Sequence, residues 1–149
     1  MSRSKDPFEI ATECIAFGVR RASRLVTAFY DHSLAEHGLR STQFTILNAL
    51  DALEDVTINE LAEQLQSDRT TLTRNLMRLE KQGWIERNVG TDRRSRHITL
   101  SRPGKKMLEA AYPAWLEAQS ALAEQLGRTR YQRLMTDLSD LEDTCVEDL

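Results

Sequence analysis

Apolar residues recur at alternating steps of three and four along the first 36 residues of the chain, which is the period of one face of an α-helix. The pattern predicts a helix over residues 6–36 that His37 and Gly38 end. A helix of about 30 residues is roughly 45 Å long, more than a small domain needs to cover itself. We therefore expect part of its narrow apolar face to contact another chain. That face comprises Phe8, Ala11, Ile15, Gly18, Ala22, Leu25 and Phe29.

The end of the chain has two further helical patterns. Pro103 and Gly104 begin a predicted helix that continues to Leu126 and should bend at Pro113. After Gly127, a last predicted helix again has a narrow apolar face. Its apolar positions are Tyr131, Leu134, Leu138, Leu141 and Cys145. Both ends of the chain therefore favour association with another chain.

The middle of the chain has shorter helical patterns. They predict a helix over residues 41–53, a second helix that begins near Ile58, and a third over residues 68–82. The second helix follows the capping-box spacing of Thr57 and Glu60. A short helix, a tight turn and a second helix form the outline of a helix-turn-helix.

The period then changes to that of β-strands. Residues 84–87 and 97–100 are predicted strands, and the polar residues 88–95 join them as a hairpin with a long tip. The predicted fold class is therefore mainly α with a small β-hairpin wing, an α+β arrangement. It consists of a winged helix-turn-helix lobe and a helical region built from the N- and C-terminal helices.

The composition agrees with a single helical domain. A chain of 149 residues, 40% apolar and 29% charged, fits one domain over residues 1–149. Six glycines and three prolines are too few for a sandwich or barrel of many short strands. No apolar run approaches the roughly 18 to 20 residues that span a bilayer, and the first ten residues lack the apolar segment of a signal peptide. We expect a soluble, cytoplasmic protein without a membrane partner.

The formal net charge of −3 does not by itself suggest a polyanionic partner, but the charge is unevenly distributed. Between Ser67 and Lys106, eleven basic residues stand against four acidic ones, a balance of +7. The rest of the chain has a balance of −10. Because a polyanion responds to the local charge, this segment is the candidate nucleic-acid-binding region.

The third short helix has the face that a DNA-reading helix needs. Helical geometry places Leu72, Leu76 and Leu79 on one side. The opposite side has Thr70, Arg74, Met77 and Lys81, flanked by Thr73 and Arg78. Guanidinium groups can bind the guanine edge, while threonine can contact phosphates or thymine methyl groups. Such a face alone is more typical of a solvated surface than of a DNA contact. The capped helix before it and the arginine-rich hairpin after it favour DNA.

The hairpin tip is the second candidate contact. Three of its residues, Arg93, Arg94 and Arg96, are arginines on a thin ribbon that could enter the minor groove, and Asp92 could orient one of them. The alternative is an ordinary polar turn.

These residues resemble the MarR family of bacterial transcription regulators. The strings that carry the resemblance are Leu39-Arg40-Ser41-Thr42-Gln43-Phe44, Thr57-Ile58-Asn59-Glu60-Leu61-Ala62, Asp68-Arg69-Thr70-Thr71-Leu72-Thr73-Arg74-Asn75-Leu76, Leu79-Glu80-Lys81-Gln82-Gly83-Trp84-Ile85-Glu86-Arg87, Asp92-Arg93-Arg94-Ser95 and Leu100-Ser101-x-x-Gly104. Their order and spacing are specific, whereas the terminal helices match the family only in pattern.

The resemblance implies a homodimer that binds double-stranded DNA. Helices over residues 7–36 and 103–148 would form the dimer, and residues 39–102 would form the DNA-binding lobe. Two recognition helices about 34 Å apart would read a pseudo-palindromic operator. Members of the family typically repress genes next to their own, and a small, often aromatic, molecule or an oxidant releases them. The implied DNA contacts are Thr42, Ser67, Arg69, Thr70, Thr71, Thr73, Arg74, Asn75, Arg78, Asp92, Arg93, Arg94 and Arg96.

The resemblance also gives candidates for an effector site and a redox site. By location, an aromatic acid could contact Arg20, Arg24, Tyr30, His32 and Tyr112, although each also suits an ordinary structural role in a long helix. Cys14 invites comparison with peroxide-sensing members, but it lies too early in the helix, and Ser41 stands where those sensors have a supporting tyrosine. We expect Cys14 and Cys145 to be reduced. A disulfide between them across the dimer is the remaining redox alternative.

Other functional classes have little support. The three histidines and two cysteines have no metal-ligand spacing, and no nucleophile elbow or phosphate-binding loop occurs, so we expect no enzyme, no metal and no cofactor. A winged-helix module that binds protein instead of DNA is the main alternative. Salt dependence separates the two, because binding through several phosphates weakens steeply as salt rises.

Overall fold

The computed structural model describes residues 13–89 and 96–147. These residues form a mainly helical fold with a small antiparallel sheet, so the predicted fold class is confirmed. The elements in chain order are helix α1 (Ile15–Leu34), a 3-10 turn (Ala35–His37), α2 (Ser41–Leu53), β1 (Val56–Thr57), α3 (Ile58–Gln64), α4 (Arg69–Lys81), β2 (Ile85–Val89), β3 (Arg96–Leu100), α5 (Arg102–Leu126) and α6 (Arg128–Glu147).

The first helix differs from the prediction at both ends. The backbone of Cys14 is extended, with φ −79° and ψ 121°, and it caps α1 instead of continuing a helix through it. The prediction of one unbroken helix over residues 6–36 is therefore wrong at Cys14. Apolar periodicity reports which face of a helix is covered and not the local backbone angles, so it does not reveal such a break. At the other end, α1 gives way to the 3-10 turn, and Gly38 follows it at φ 67°. The predicted positions Phe8 and Ala11 lie outside the described residues.

The hydrophobic core lies in the lobe formed by α2 to β3 and the first half of α5. It depends on one side of each short helix, since α2, α3 and α4 all direct leucines inward. Leu34 and Leu39 extend the core to the end of α1 and the loop after it. Its largest fully buried side chains are Leu34, Leu47, Leu50, Leu61, Leu72, Leu76, Leu79 and Ile98.

The sheet has three strands in the order β1-β3-β2. The predicted hairpin is present, with Ile85 opposite Leu100 and Val89 opposite Arg96. Strand β1 pairs Val56 with Ile98 and ties the start of the helix-turn-helix to the hairpin. The sequence did not predict β1, because two residues are too few to display an alternating pattern.

The junction between the hairpin and α5 requires a glycine. Ser101 caps α5 by accepting from the Gly104 amide at 3.0 Å, and its hydroxyl donates to the Gly83 carbonyl at 2.6 Å. A Cβ atom at Gly104 would lie 2.0 Å from the Trp84 carbonyl oxygen. Only glycine therefore lets α5 begin this close to the end of α4.

The terminal helices contrast with the lobe. Leu34 is the buried residue of α1, and none of the described side chains of α6 is buried. Apolar side chains stand exposed on both helices, among them Ile15 and Leu25 on α1 and Leu134 and Met135 on α6. Helix α5 passes through Pro113 without interruption. Within residues 13–89 and 96–147, no helix has the length and apolar character needed to cross a membrane.

Candidate nucleic-acid interface

Helix α4 begins with a capped and ordered N-terminus. The Asp68 carboxylate accepts from the amides of Thr70 at 2.9 Å and Thr71 at 3.0 Å. Hydrogen bonds from the Thr71 side chain and from these amides, together with the nearby Arg74, hold the pKa of Asp68 below its ordinary value. The carboxylate therefore stays ionised at neutral pH and holds the first turn of α4 in place.

The two sides of α4 divide as the sequence predicts. Leu72, Leu76 and Leu79 are buried in the core and hold the helix against the lobe. The outer side exposes Arg69, Thr70, Arg74 and Arg78, while Thr73 is half-buried. A shallow depression on this side is lined by Arg69, Thr70, Thr73, Arg74 and Met77. We call these five residues, together with Arg78, the outer face of α4.

A second group of predicted residues meets between α2 and α4. Thr42, Ser67, Thr71 and Asn75 line a small cavity of about 180 Å³ at this junction. Thr45, one turn after Thr42, lines it as well and was missing from the predicted contacts. The Asn75 side-chain amide donates to the Thr71 backbone carbonyl at 3.2 Å, so one of the two hydrogens of this amide is hydrogen-bonded within α4.

The hairpin is fixed to the helix-turn-helix by side chains. Arg87 on β2 donates from Nε to the Glu80 carboxylate on α4 at 2.8 Å. His97 on β3 places Nδ1 3.0 Å from the Asp55 carboxylate, which precedes β1. The base of the wing thus has a defined position relative to α4. The predicted tip contacts Asp92, Arg93 and Arg94 lie outside the described residues, and Arg96 is the first residue of β3.

Helix α3 precedes α4 and is capped as predicted. The Thr57 amide donates to the Glu60 carboxylate at 2.8 Å, and the Glu60 amide donates back to the Thr57 hydroxyl at 3.3 Å. The hydrogen bonds from the Thr57 amide and hydroxyl lower the pKa of Glu60 from its ordinary value. With both helices capped, a short helix, a tight turn and an arginine-rich second helix form the predicted helix-turn-helix.

Comparison with known proteins identifies this arrangement. The profile of the MarR family matches residues 37–95, from the end of the 3-10 turn to the tip of the wing. The Mycobacterium tuberculosis transcriptional regulator MosR, solved in complex with DNA, is 32% identical, with a TM-score of 0.77 over 89% of this chain and 98% of that one. The chain belongs to the MarR family. It is a transcriptional regulator and not an enzyme.

Curated relatives support the assignment to the MarR family. The HTH-type transcriptional regulator YwoH of Bacillus subtilis is 30% identical over 61% of this chain and 66% of its own length. The transcriptional repressor MprA of Escherichia coli is 35% identical over 68% of this chain and 59% of its own. The matched region thus covers slightly less than two thirds of YwoH and about three fifths of MprA.

The predicted effector contacts of this MarR-family chain are not gathered around one cavity. His32 lines a cavity of about 500 Å³ between α1 and α2, together with residues such as Asp31 and Arg40, and the other four candidates do not line it. Arg20 and Arg24 are exposed on α1, and Tyr112 packs its ring 5.6 Å from that of Trp115.

Tyr30, the remaining candidate, takes part in a polar chain that the sequence did not predict. Its hydroxyl donates to the Gln119 side-chain oxygen, and the Gln119 amide donates to the Tyr131 hydroxyl. Burial and the neighbouring Tyr131 raise the pKa of Tyr30. These hydrogen bonds join α1, α5 and α6, so Tyr30 has a structural role in this MarR-family fold. No local spacing could reveal it, because Tyr30 and Gln119 are 89 positions apart.

The two cysteines of this MarR-family chain are both free and exposed. Cys145 was expected on the apolar face of the last helix, where an inert buried thiol is usual. In the structure the Cys145 side chain is exposed, so the single chain does not bury it. Over the parts of the chain that the structure describes, no group of three or more potential ligands could hold a metal ion.

Proposed function

We propose that this transcriptional regulator is a repressor that binds double-stranded DNA through α4. The observation that carries the proposal is the outer face of α4, where exposed arginine and threonine side chains project from a helix anchored by three buried leucines. A helix of this kind fits the major groove, where arginine binds guanine and threonine contacts phosphates or thymine. The repressor role is supported by the similarity to MprA.

The contacts divide by their role. Arg74 lies on the outer face of α4, three residues after Thr71 at the α2–α4 cavity, and is the proposed base contact. Thr42 and Ser67, at the rim of the cavity between α2 and α4, suit phosphate oxygens beside the groove. In the wing, Arg94 is the proposed minor-groove or phosphate contact, as the family resemblance implies.

The proposed repressor acts as a homodimer. Its terminal helices expose apolar side chains that no other part of the described chain covers, such as Ile15 and Leu25 on α1. The charges of the two helices are complementary, since α1 carries Arg20, Arg21 and Arg24 near its start and the second half of α6 is acidic. A second copy would bury these surfaces and present two α4 helices to successive major grooves of a pseudo-palindromic site.

The test is binding to selected DNA. Duplexes selected from fragments of the source genome should bind the wild type with an affinity that falls steeply between low and physiological salt. Arg74→Ala should weaken binding to the selected site about tenfold or more and reduce discrimination against mutated sites. Arg94→Ala should weaken binding to all sequences alike. Arg133→Ala, a change to an exposed arginine on α6, should leave binding unchanged.

Two results would contradict the proposal. Full affinity of both Arg74→Ala and Arg94→Ala would mean that α4 and the wing do not face DNA. Failure to select any duplex, or weak salt dependence of binding, would favour the protein-interaction module instead.

For the effector, we propose a small aromatic acid, in the cavity that His32 lines. The cavity has cationic and polar groups from Arg40 and Gln43 beside His32, and its size of about 500 Å³ suits a single aromatic ring. Benzoate and hydroxybenzoates are the probes. If these acids release the selected duplex from the wild type but not from His32→Ala, the site is supported. If they release it from both proteins alike, this cavity is not the effector site.

We also propose a location for the protein. Because its proposed target is DNA, we place the protein in the cytoplasm.

A further inference from the structure

Met77 is an unusual residue on the outer face of α4. Met77 is 60% exposed, on a surface whose other residues are polar or basic. The other exposed large apolar side chain of the lobe, within residues 39–88 and 97–102, is Leu53, which lies at the end of α2 and is 37% exposed. Helix α4 does not need Met77 for anchoring, since Leu72, Leu76 and Leu79 already hold it in the core.

The neighbours of Met77 distinguish it from an isolated surface methionine. Thr70, Thr73, Arg74 and Met77 follow one another at steps of three, one and three, which places them on one stripe of the helix. The same residues line one shallow depression, so the methionine side chain forms one end of the surface that would face DNA. Contact between these exposed apolar atoms and water is unfavourable. A binding partner that covers them therefore lowers the free energy.

We propose that Met77 contacts the 5-methyl group of a thymine and so specifies that base pair in the operator. The contact rests on the proposed function, because it requires α4 in the major groove. The thymine methyl is the apolar group that base edges present there. Methionine suits it because its flexible thioether side chain adapts to an irregular surface. Met77 is three residues beyond Arg74, roughly 4.5 Å along the helix. The thymine should therefore lie about one or two base pairs from the base that Arg74 contacts.

The experiment removes the methyl group without changing base pairing. The highest-affinity duplex selected by the wild type from a random pool is made with each thymine replaced singly by uracil, which lacks only the 5-methyl group. Affinities are measured by fluorescence anisotropy for the wild type and for Met77→Gln, which keeps the length of the side chain but makes it polar. At one thymine in the half-site, uracil should weaken wild-type binding about fourfold, the value of one buried methyl group. For Met77→Gln, the same replacement should have no effect.

Two further variants complete the design. Met77→Leu keeps an apolar side chain and should retain part of the sensitivity to uracil. Leu53→Gln is the matched control, because it changes an exposed apolar residue away from this face, and it should respond to uracil as the wild type does.

The outcomes separate this contact from the proposed function. If the wild type is insensitive to uracil at every thymine, or if Met77→Gln keeps the wild-type sensitivity, the methyl contact is overturned while DNA binding stands. If no duplex is selected at all, the proposed function fails and the contact fails with it.

Discussion

The DNA-binding lobe and the terminal helices use their apolar residues in opposite ways. In the lobe, nearly every large aliphatic side chain of α2, α3 and α4 is buried among its neighbours. On α1 and α6, side chains of the same kind stand exposed, with Ile15 67% exposed and Leu25 65%. The lobe therefore covers its own apolar side chains, whereas the terminal helices leave an exposed apolar surface that the proposed dimer would cover.

The largest expected effect comes from a comparison in which one leucine of each region is replaced by alanine. Leu76→Ala empties a fully buried site in the lobe and should lower the free energy of unfolding by about 2 to 5 kcal/mol. Leu138→Ala on α6 should instead weaken self-association, because its side chain is partly exposed in the single chain. Urea denaturation at several protein concentrations, with analytical ultracentrifugation, measures both effects. If Leu138→Ala left the association constant unchanged, α6 would not be part of the dimer interface.

The junction between the regions gives the next effect. Gly104→Ala would place a methyl group against the Trp84 carbonyl, and the required shift should lower the free energy of unfolding by about 1 to 3 kcal/mol. Lys106→Ala, an exposed change in the same helix turn, is the control and should have little effect. Equal stability of Gly104→Ala and wild type in urea would show that α5 does not approach β2 this closely.

A smaller effect comes from the ion pair that links the wing to α4. The Arg87 side chain is 18% exposed, so its contact with Glu80 is partly shielded from water. A double-mutant cycle with Glu80→Gln and Arg87→Gln should give a coupling of about 0.5 to 1 kcal/mol in stability. Each single variant should also weaken DNA binding, because the wing loses its orientation relative to α4. Additive single effects would mean that the two side chains do not interact.

The smallest effect is a pH dependence at the start of α4. The pKa of Asp68 is lower in the folded chain than in the unfolded one, so its contribution to stability is present above the ordinary carboxyl range and is lost as pH falls through the folded value. Asp68→Asn keeps an acceptor for the Thr70 and Thr71 amides but does not titrate there. The loss of stability of the wild type below about pH 4 should therefore be shallower in Asp68→Asn. Identical pH profiles in urea denaturation would exclude the cap as a source.

The same comparison explains how far the sequence could predict the structure. In the lobe, each helix has local sequence signals for where it begins, such as the Thr57 capping box and the Asp68 cap. The helices and the hairpin strands of the lobe were therefore predicted with only small shifts at their ends. Outside it, apolar periodicity did not reveal the break at Cys14, because the spacing of apolar residues does not report the backbone angles of a single residue. Strand β1 was too short to recognise, and the Glu80–Arg87 pair joins elements that only the fold brings together.

The candidate site divides in a similar way. The outer face of α4 follows from helix geometry alone, so Thr70, Arg74 and Met77 were predicted on one side of the helix, and they line one depression there. The effector candidates required knowledge of how α1 meets α2 and α5, which no local pattern contains. For this reason Tyr30 was predicted as a ligand contact and is found paired with Gln119.

Gln119 limits how this chain can diverge. Its side-chain oxygen accepts a hydrogen bond from the Tyr30 hydroxyl and its side-chain amide donates one to the Tyr131 hydroxyl, so one side chain uses its acceptor and its donor toward two different helices. Glutamate would lose the donor, and asparagine would be shorter by a methylene group. Replacement of Tyr30, Gln119 or Tyr131 alone should therefore remove a hydrogen bond between two of the helices α1, α5 and α6, which are all linked through this one glutamine.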